Sequence, residues 1–195
     1  MLVSEAIGQD HHYLDQCYDN LKAASTTEDK TKWRNMLVWN LARHAISEEL
    51  IVYPAMEKHL GEKGKELTKT DFAQHQAVKE DLFKLQSLSP ACSEFPPLLE
   101  QLMTDLHHHI EHEKDVDMPL LEKAISQAES EKIALSFMRT KKLVPTKSHP
   151  GAPTSNPWTE GLAGLLAAPV DKLRTLMESF PDEETGSAEV DWSQM

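Results

Sequence analysis

Apolar positions recur along this chain in steps of three and four, and four long segments carry that rhythm. The first holds Ile7, Leu14, Tyr18 and Leu21, with His11 in the same phase. The second holds Leu37, Leu41, Ile51 and Ala55, with His44 and Glu48 among them. The third runs Phe72, His75, Val78 or Lys79, Leu82 and Leu85, and the fourth Leu99, Leu102, Leu106, His109, Glu113, Val116 and Leu120. Alternating steps of this kind put each set on one stripe of an α-helix.

The separators read as turns. Thr26 stands three residues before Asp29, a capping spacing at the start of the second segment. Gly61 and Gly64 part the second segment from the third. LSPACSEFPP parts the third from the fourth, with Pro96 and Pro97 suited to a first helical turn. Long amphipathic helices on short connections predict an all-α fold, an antiparallel up-down four-helix bundle. The bundle is expected over residues 1–142, its last helix continuing or kinked after Pro119 through Leu121, Ile125, Ile133, Leu135 and Phe137. Residues 143–195 are expected to form a C-terminal extension that packs on the bundle. It consists of a proline-rich linker, a short helix from Pro169 carrying Val170, Leu173, Leu176 and Met177, and an acidic tail.

The polar residues in phase with the leucines carry the chemistry. His44, Glu48 and Pro54 repeat the spacing of His109, Glu113 and Pro119. His11 precedes His44 by 33 residues and His75 precedes His109 by 34. The chain thus reads as two helical hairpins, each offering one His from its first helix and a His-x-x-x-Glu pair from its second. The i, i+4 spacing stacks His and Glu on one face, so four packed helices bring His11, His44, Glu48, His75, His109 and Glu113 to one level of the core. A single histidine on an apolar stripe is ordinarily a hydrogen-bonded core residue. Six in-phase residues repeated at matching separations point to metal instead. His107 and His108 lie roughly 200° and 100° around the helix from His109 and are expected at the surface. His112 reads as a flanking position, and His12, His59 and His149 as solvent-facing. Trp33, Trp39, Trp158 and Trp192 have no cofactor spacing and read as packing residues.

Buried acids need an answer. An ionised carboxylate without a partner costs several kcal/mol in a core, and a fold with about 5–15 kcal/mol of net stability does not readily carry two. Two divalent cations outweigh the charge of Glu48 and Glu113 and favour a bridging hydroxide or oxide. Mixed imidazole and carboxylate donors suit iron, with manganese or zinc as alternatives.

The formal net charge of −12 argues against nucleic acid or an anionic membrane surface as partner. No apolar run approaches transmembrane length, and two cysteines build no disulfide framework. A soluble, cytoplasmic protein is expected.

The DH of QDHHYL, HAISEELIVYP, the QH of AQHQAVKEDL and HIEHEKDVDMPLL together resemble the hemerythrin-like, or HHE cation-binding, family over roughly residues 3 to 122. The resemblance implies a four-helix bundle around a carboxylate-bridged di-iron centre, with His11, His44, His75 and His109 as terminal ligands and Glu48 and Glu113 as bridges. One departure stands out: where the oxygen-carrying members have a fifth His, one turn after the third-helix His, this chain has Lys79. A protonated ammonium cannot ligate. The second ion then keeps an open position, or a carboxylate such as Asp15 completes the set. The expected function is a non-heme di-iron protein that binds O2 or another diatomic. An O2-activating oxidase or oxygenase is the first alternative, with Lys79 as a proton donor, and a structural-metal interaction protein the second.

Overall fold

The computed structural model describes residues 1–144 and 179–181. The linker prolines, the expected helix from Pro169, the acidic tail, His149, Trp158 and Trp192 lie outside them. The described residues are helical, with no strand: α1 (Val3–Ala23), α2 (Thr27–Ser47), α3 (Tyr53–Leu60), α4 (Glu62–Ser87), α5 (Phe95–His112), α6 (Met118–Ala124) and α7 (Gln127–Lys141).

The turns at Thr26, Gly61 and Pro96 fall where the sequence placed them. Thr26 accepts the Asp29 backbone N–H at 3.0 Å and opens α2. Gly61 ends α3 at φ +60°, a conformation that favours glycine. Gly64 does not break the chain but lies inside α4, where it lets two helices close on each other. A Cβ there would sit 2.3 Å from the Met56 carbonyl oxygen. Pro96 and Pro97 lie in the first turn of α5, where their missing N–H costs nothing. The helix expected to run from Pro119 to Lys142 is interrupted at Ile125. Ser126 caps a new helix by accepting the Glu129 N–H, and α7 folds back onto α1 and α2.

Neither Pro54 nor Pro119 breaks its helix. Between α2 and α3, residues Glu48–Val52 form a wider π-turn, and Glu113–Asp117 form its counterpart between α5 and α6. The Tyr53 N–H bonds to the Glu48 carbonyl and the Met118 N–H to the Glu113 carbonyl, each five residues back. A proline has no N–H for the carbonyl four residues back, and its ring crowds that carbonyl; the wider turn relieves both. Each π-turn begins at one of the two in-phase glutamates.

The π-turns also shift the helical phase by one residue. The regular rhythm put Ile51, Ala55, Val116 and Leu120 on the buried stripe. The structure instead buries Val52, Tyr53 and Met56 in one rod, and Asp117, Met118 and Leu121 in the other. Leu135, expected among the apolar members, is exposed.

Two apolar clusters form the core. One contains Leu14, Leu41, Val78 and Leu106, the other Ile7, Val52, Leu67 and Met118. Along α1 the chain passes from the second cluster to the first, along α2 back again, and α4 and α5 repeat that alternation. On every one of the four rods, the in-phase histidine lies at the crossing between the clusters. The helical bundle therefore carries one polar layer between two greasy ones.

Candidate metal centre

The layer brings together all six residues that the phase argument selected. His44, Glu48, His75, His109 and Glu113 are buried almost completely, and His11 is only 7% exposed. Their ligand atoms fall into two overlapping groups that could hold metal: His11, His44, Glu48 and Glu113, and Glu48, His75 and His109. Glu48 Oε2 stands 3.2 Å from His44 Nε2 and 3.4 Å from His75 Nε2, so it spans the two hairpins. Glu113 Oε2 does the same between His11 at 3.4 Å and His109 at 3.5 Å.

Hydrogen bonds behind the rings fix which nitrogen faces inward. His44 Nδ1 lies 3.2 Å from Asp10 Oδ2, His75 Nδ1 2.8 Å from Glu49 Oε1, and His109 Nδ1 2.9 Å from Gln74 Oε1. These oxygens only accept, so each Nδ1 carries the proton and each neutral ring turns a bare Nε2 lone pair to the centre. Yet His75 Nε2 and His109 Nε2 stand 2.9 Å apart, and His11 Nε2 and His44 Nε2 3.1 Å. Two bare lone pairs at 2.9 Å repel unless a cation lies between them. Two nitrogens each about 2.1 Å from one ion, at a right angle, are about 3 Å apart. None of the four carboxylate oxygens of Glu48 and Glu113 has a hydrogen-bond partner, which is the state of acids arranged for an electrophile. The donor set fits bound metal cations.

The electrostatics agree. Burial holds His44 down at about 4 and His109 at about 3, so both rings stay neutral and ligating at neutral pH. Burial, and then the charge of Glu113, raise Glu48 well above the usual carboxylate range. Asp10 is pulled down to about 2: burial opposes this, but the His44 hydrogen bond and the Lys141 ammonium together outweigh it. Lys141, from α7, contacts the same Asp10 oxygen. A carboxylate behind a ligating imidazole orients the ring and raises its basicity.

Lys79 sits at the place of the absent fifth His. Its Nζ is 2.6 Å from Glu49 Oε2, with both groups buried. The Lys79–Glu49–His75 chain is thus an outer support for one ring. Asp15, considered as a substitute ligand, is turned away: it pairs with His107 at 2.7 Å, each side chain 45% exposed. That places His107 on the surface as expected. Trp33 packs beside the first apolar cluster, and Trp39 lies under Arg43, 3.3 Å from its ring centroid.

Four neighbours escaped the sequence reading. Glu49 was hidden because a regular helix turns it 100° from Glu48. Tyr53, fully buried with its hydroxyl 3.1 Å from His75 Nε2, was displaced from the expected stripe by the π-turn. Asp10 and Gln74 had a visible signal, since each directly precedes the first-helix histidine of its hairpin. His112 is not the plain flanking residue expected; its Nδ1 is 3.0 Å from Asp117 Oδ2.

Comparison with known proteins agrees with this geometry. The family model described as the hemerythrin HHE cation binding domain matches residues 2–121. A hemerythrin-like protein of Schizosaccharomyces pombe is 50% identical over 179 residues, 92% of this chain and 88% of that protein. A DNA nickase of Nostoc sp. is 21% identical over 141 residues, 72% of this chain but 39% of that protein. No solved structure matches. No helix among the described residues is long and apolar enough to cross a membrane. Matched along most of its helical part by one family and along nearly its whole length by a relative of the same kind, the chain belongs to the hemerythrin HHE cation-binding family.

Proposed function

We propose that this protein is a non-heme di-iron protein that binds O2 or another diatomic. His11 and His44 would hold one ion, His75 and His109 the other, and Glu48 and Glu113 would bridge the pair, with an oxo or hydroxo group between the ions. The observation that carries this reading is the facing of the proton-free His75 and His109 nitrogens, 2.9 Å apart, with His11 and His44 Nε2 3.1 Å apart beside them and two buried carboxylates without hydrogen-bond partners. Bound iron supplies the redox equivalents and the open coordination position. The chain's own residues do the rest. Asp10, Glu49 and Gln74 orient the rings, and the apolar clusters above and below keep bulk water out. Lys79, tied to Glu49, would steady the His75 ring from behind and would supply no ligand of its own.

The same reading takes residues 1–142 as an antiparallel up-down four-helix bundle, supported by the alternation of the rods between the two clusters. It takes residues 143–195 as an extension packed on that bundle. The support is at α2, where Asn35 donates to the Ser179 carbonyl at 3.0 Å and Trp39 meets Phe180 edge to face at 6.1 Å. Two free cysteines suit a cytoplasmic setting.

Mössbauer spectroscopy of anaerobically purified, iron-loaded protein tests the centre. A magnetically coupled pair of irons is expected, with a visible absorption band that appears in air and reverses under argon. Absence of bound metal, or isolated ions without coupling, would overturn the di-iron reading. Rapid oxidation of a co-substrate in place of a reversible band would turn the function toward an oxygenase.

A further inference from the structure

One turn beyond the central layer lies a second group of ligating side chains that shares no residue with the first. Asp71 precedes His75 by four residues on α4, and Asp117 follows Glu113 by four at the end of the second π-turn. His112 precedes Glu113 on α5. Asp71 and Asp117 are fully buried, and the His112 side chain is 30% exposed. His112 Nδ1 is 3.0 Å from Asp117 Oδ2 and 3.7 Å from Asp71 Oδ1, and one donor atom from each residue lies within 4.8 Å of the others.

The two acids lack partners of their own. Both oxygens of Asp71 and Oδ1 of Asp117 are buried with no hydrogen bond. Acids that share a proton place one oxygen against the other at hydrogen-bond distance, and Asp71 accepts no such bond. Burial and then the charge of Asp117 push the Asp71 carboxyl up to about 8, and burial, with the charge of Glu113 and against His112, pushes Asp117 to about 6. Lys63 offers Asp117 a distant positive charge, but its ammonium is paired with Glu66 at 3.1 Å.

We infer that Asp71, His112 and Asp117 form a third cation site, separate from the central pair, for a divalent transition ion such as Fe2+ or Mn2+. Two carboxylates and one imidazole give an oxygen-rich donor set of the kind these ions accept, and a divalent charge neutralises the two acids. The half-exposed His112 puts the site at the edge of the bundle, where an ion and its remaining waters can reach it. The wide turn Glu113–Asp117 makes the site: a regular α-helix would leave the buried position to Val116 and turn Asp117 away.

The test is Mn2+ titration of the metal-stripped, full-length protein, with free Mn2+ read by electron paramagnetic resonance and bound metal by elemental analysis. Wild type should hold one more ion per chain than Asp71→Asn or Asp117→Asn. His112→Ala should weaken that ion by about tenfold or more and remove the imidazole-nitrogen coupling from its pulsed spectrum. Equal ion counts in wild type and in either Asn variant, with the helical circular dichroism unchanged, would overturn the site. Should one variant fail to fold, the other and His112→Ala read the same difference. Failure of the central pair shows separately, as loss of magnetic coupling in wild type, and leaves this difference measurable.

Discussion

The two hairpins deliver the same inner donors but back them differently. In the first, His44 is held by Asp10, a carboxylate that Lys141 also contacts. In the second, His109 is held by the neutral amide oxygen of Gln74. After the first glutamate comes Glu49, buried and turned to the other hairpin's His75; after the second comes Lys114, exposed. Val52 closes one π-turn and Asp117 the other. A near-twofold arrangement of ligands thus sits in an asymmetric field. An imidazole backed by a carboxylate donates more strongly than one backed by an amide, so His44 and His109, the matching donors of the two hairpins, are built unequal.

The most severe way to break the comparison is to remove what both halves share. Glu113→Ala should cost at least one bound metal ion per chain and the magnetic coupling between the irons. His107→Ala, on the same helix but paired outward with Asp15, should leave metal content at the wild-type level. Elemental analysis of both variants decides whether helical phase selected the right side chains; equal losses would mean it did not.

A milder change sharpens the inequality. Asp10→Asn gives His44 the neutral backing that His109 has and should weaken metal binding there about 10- to 100-fold. Gln74→Glu should move the second hairpin the opposite way. Competition with a chelator measures both. Identical responses would mean that the outer residues only position the rings and do not tune them.

These predictions rest on residues of unequal visibility. The four histidines and two glutamates could be read because an α-helix repeats every 3.6 residues and they kept step with leucines on each side. The helices and caps up to Phe95 followed from the same rhythm and from Thr26 and Gly61. Visibility failed after Glu48 and Glu113, where each turn takes in an extra residue. From there the regular count buries Val116 in place of Asp117, and Ile51 in place of Val52. The Glu–x5–Pro repeat was present in the sequence, but its meaning lies in the hydrogen bonds that a proline cannot make. Ser126, three residues before Glu129, was a legible cap, and it separates α7 from the helix that was expected to run on. The pairing of Glu49 with His75 and Lys79 is a contact between distant rods, and no local pattern encodes it.

The buried acids give the metal-free protein a pH dependence, and the second hairpin adds Asp71 and Asp117 to it where the first has only Val52 in place of Asp117. Burial first, then the charges of Asp117 and Glu113, raise Asp71 from 3.8 to about 8. Between those values the folded chain holds a proton that the unfolded chain releases. Stability from this group is therefore complete below about pH 3.8 and is lost as pH rises to about 8. The buried histidines act in the other direction. With His44 at about 4 and His109 at about 3, the unfolded chain takes up protons first, so stability falls as pH drops below about 6.5. From about pH 6.5 to 8 Asp71 contributes about 1.4 kcal/mol per pH unit, and Glu48, whose carboxyl is also raised by burial, acts in the same direction. Urea unfolding of metal-stripped protein should show that decline, and Asp71→Asn should make it shallower. An equal decline in the variant would assign it to another group.

The smallest effect concerns the contact that only the first hairpin receives among the described residues. Ser179 and Phe180 sit against Asn35 and Trp39 of α2. An aromatic pair of this kind contributes about 0.5–1.5 kcal/mol beyond the area it buries. For a chain of this size, 1 kcal/mol moves the melting temperature by about 2–4 °C. Phe180→Ala should lower Tm by that amount and leave the metal count unchanged, since neither Phe180 nor Trp39 belongs to the ligand groups. Deleting everything after Val144 should lower Tm by at least as much. If the deletion proves harmless, the extension does not brace the bundle. If Phe180→Ala instead costs metal, α2 transmits strain from its outer face to His44, and the first hairpin is the softer half of the centre.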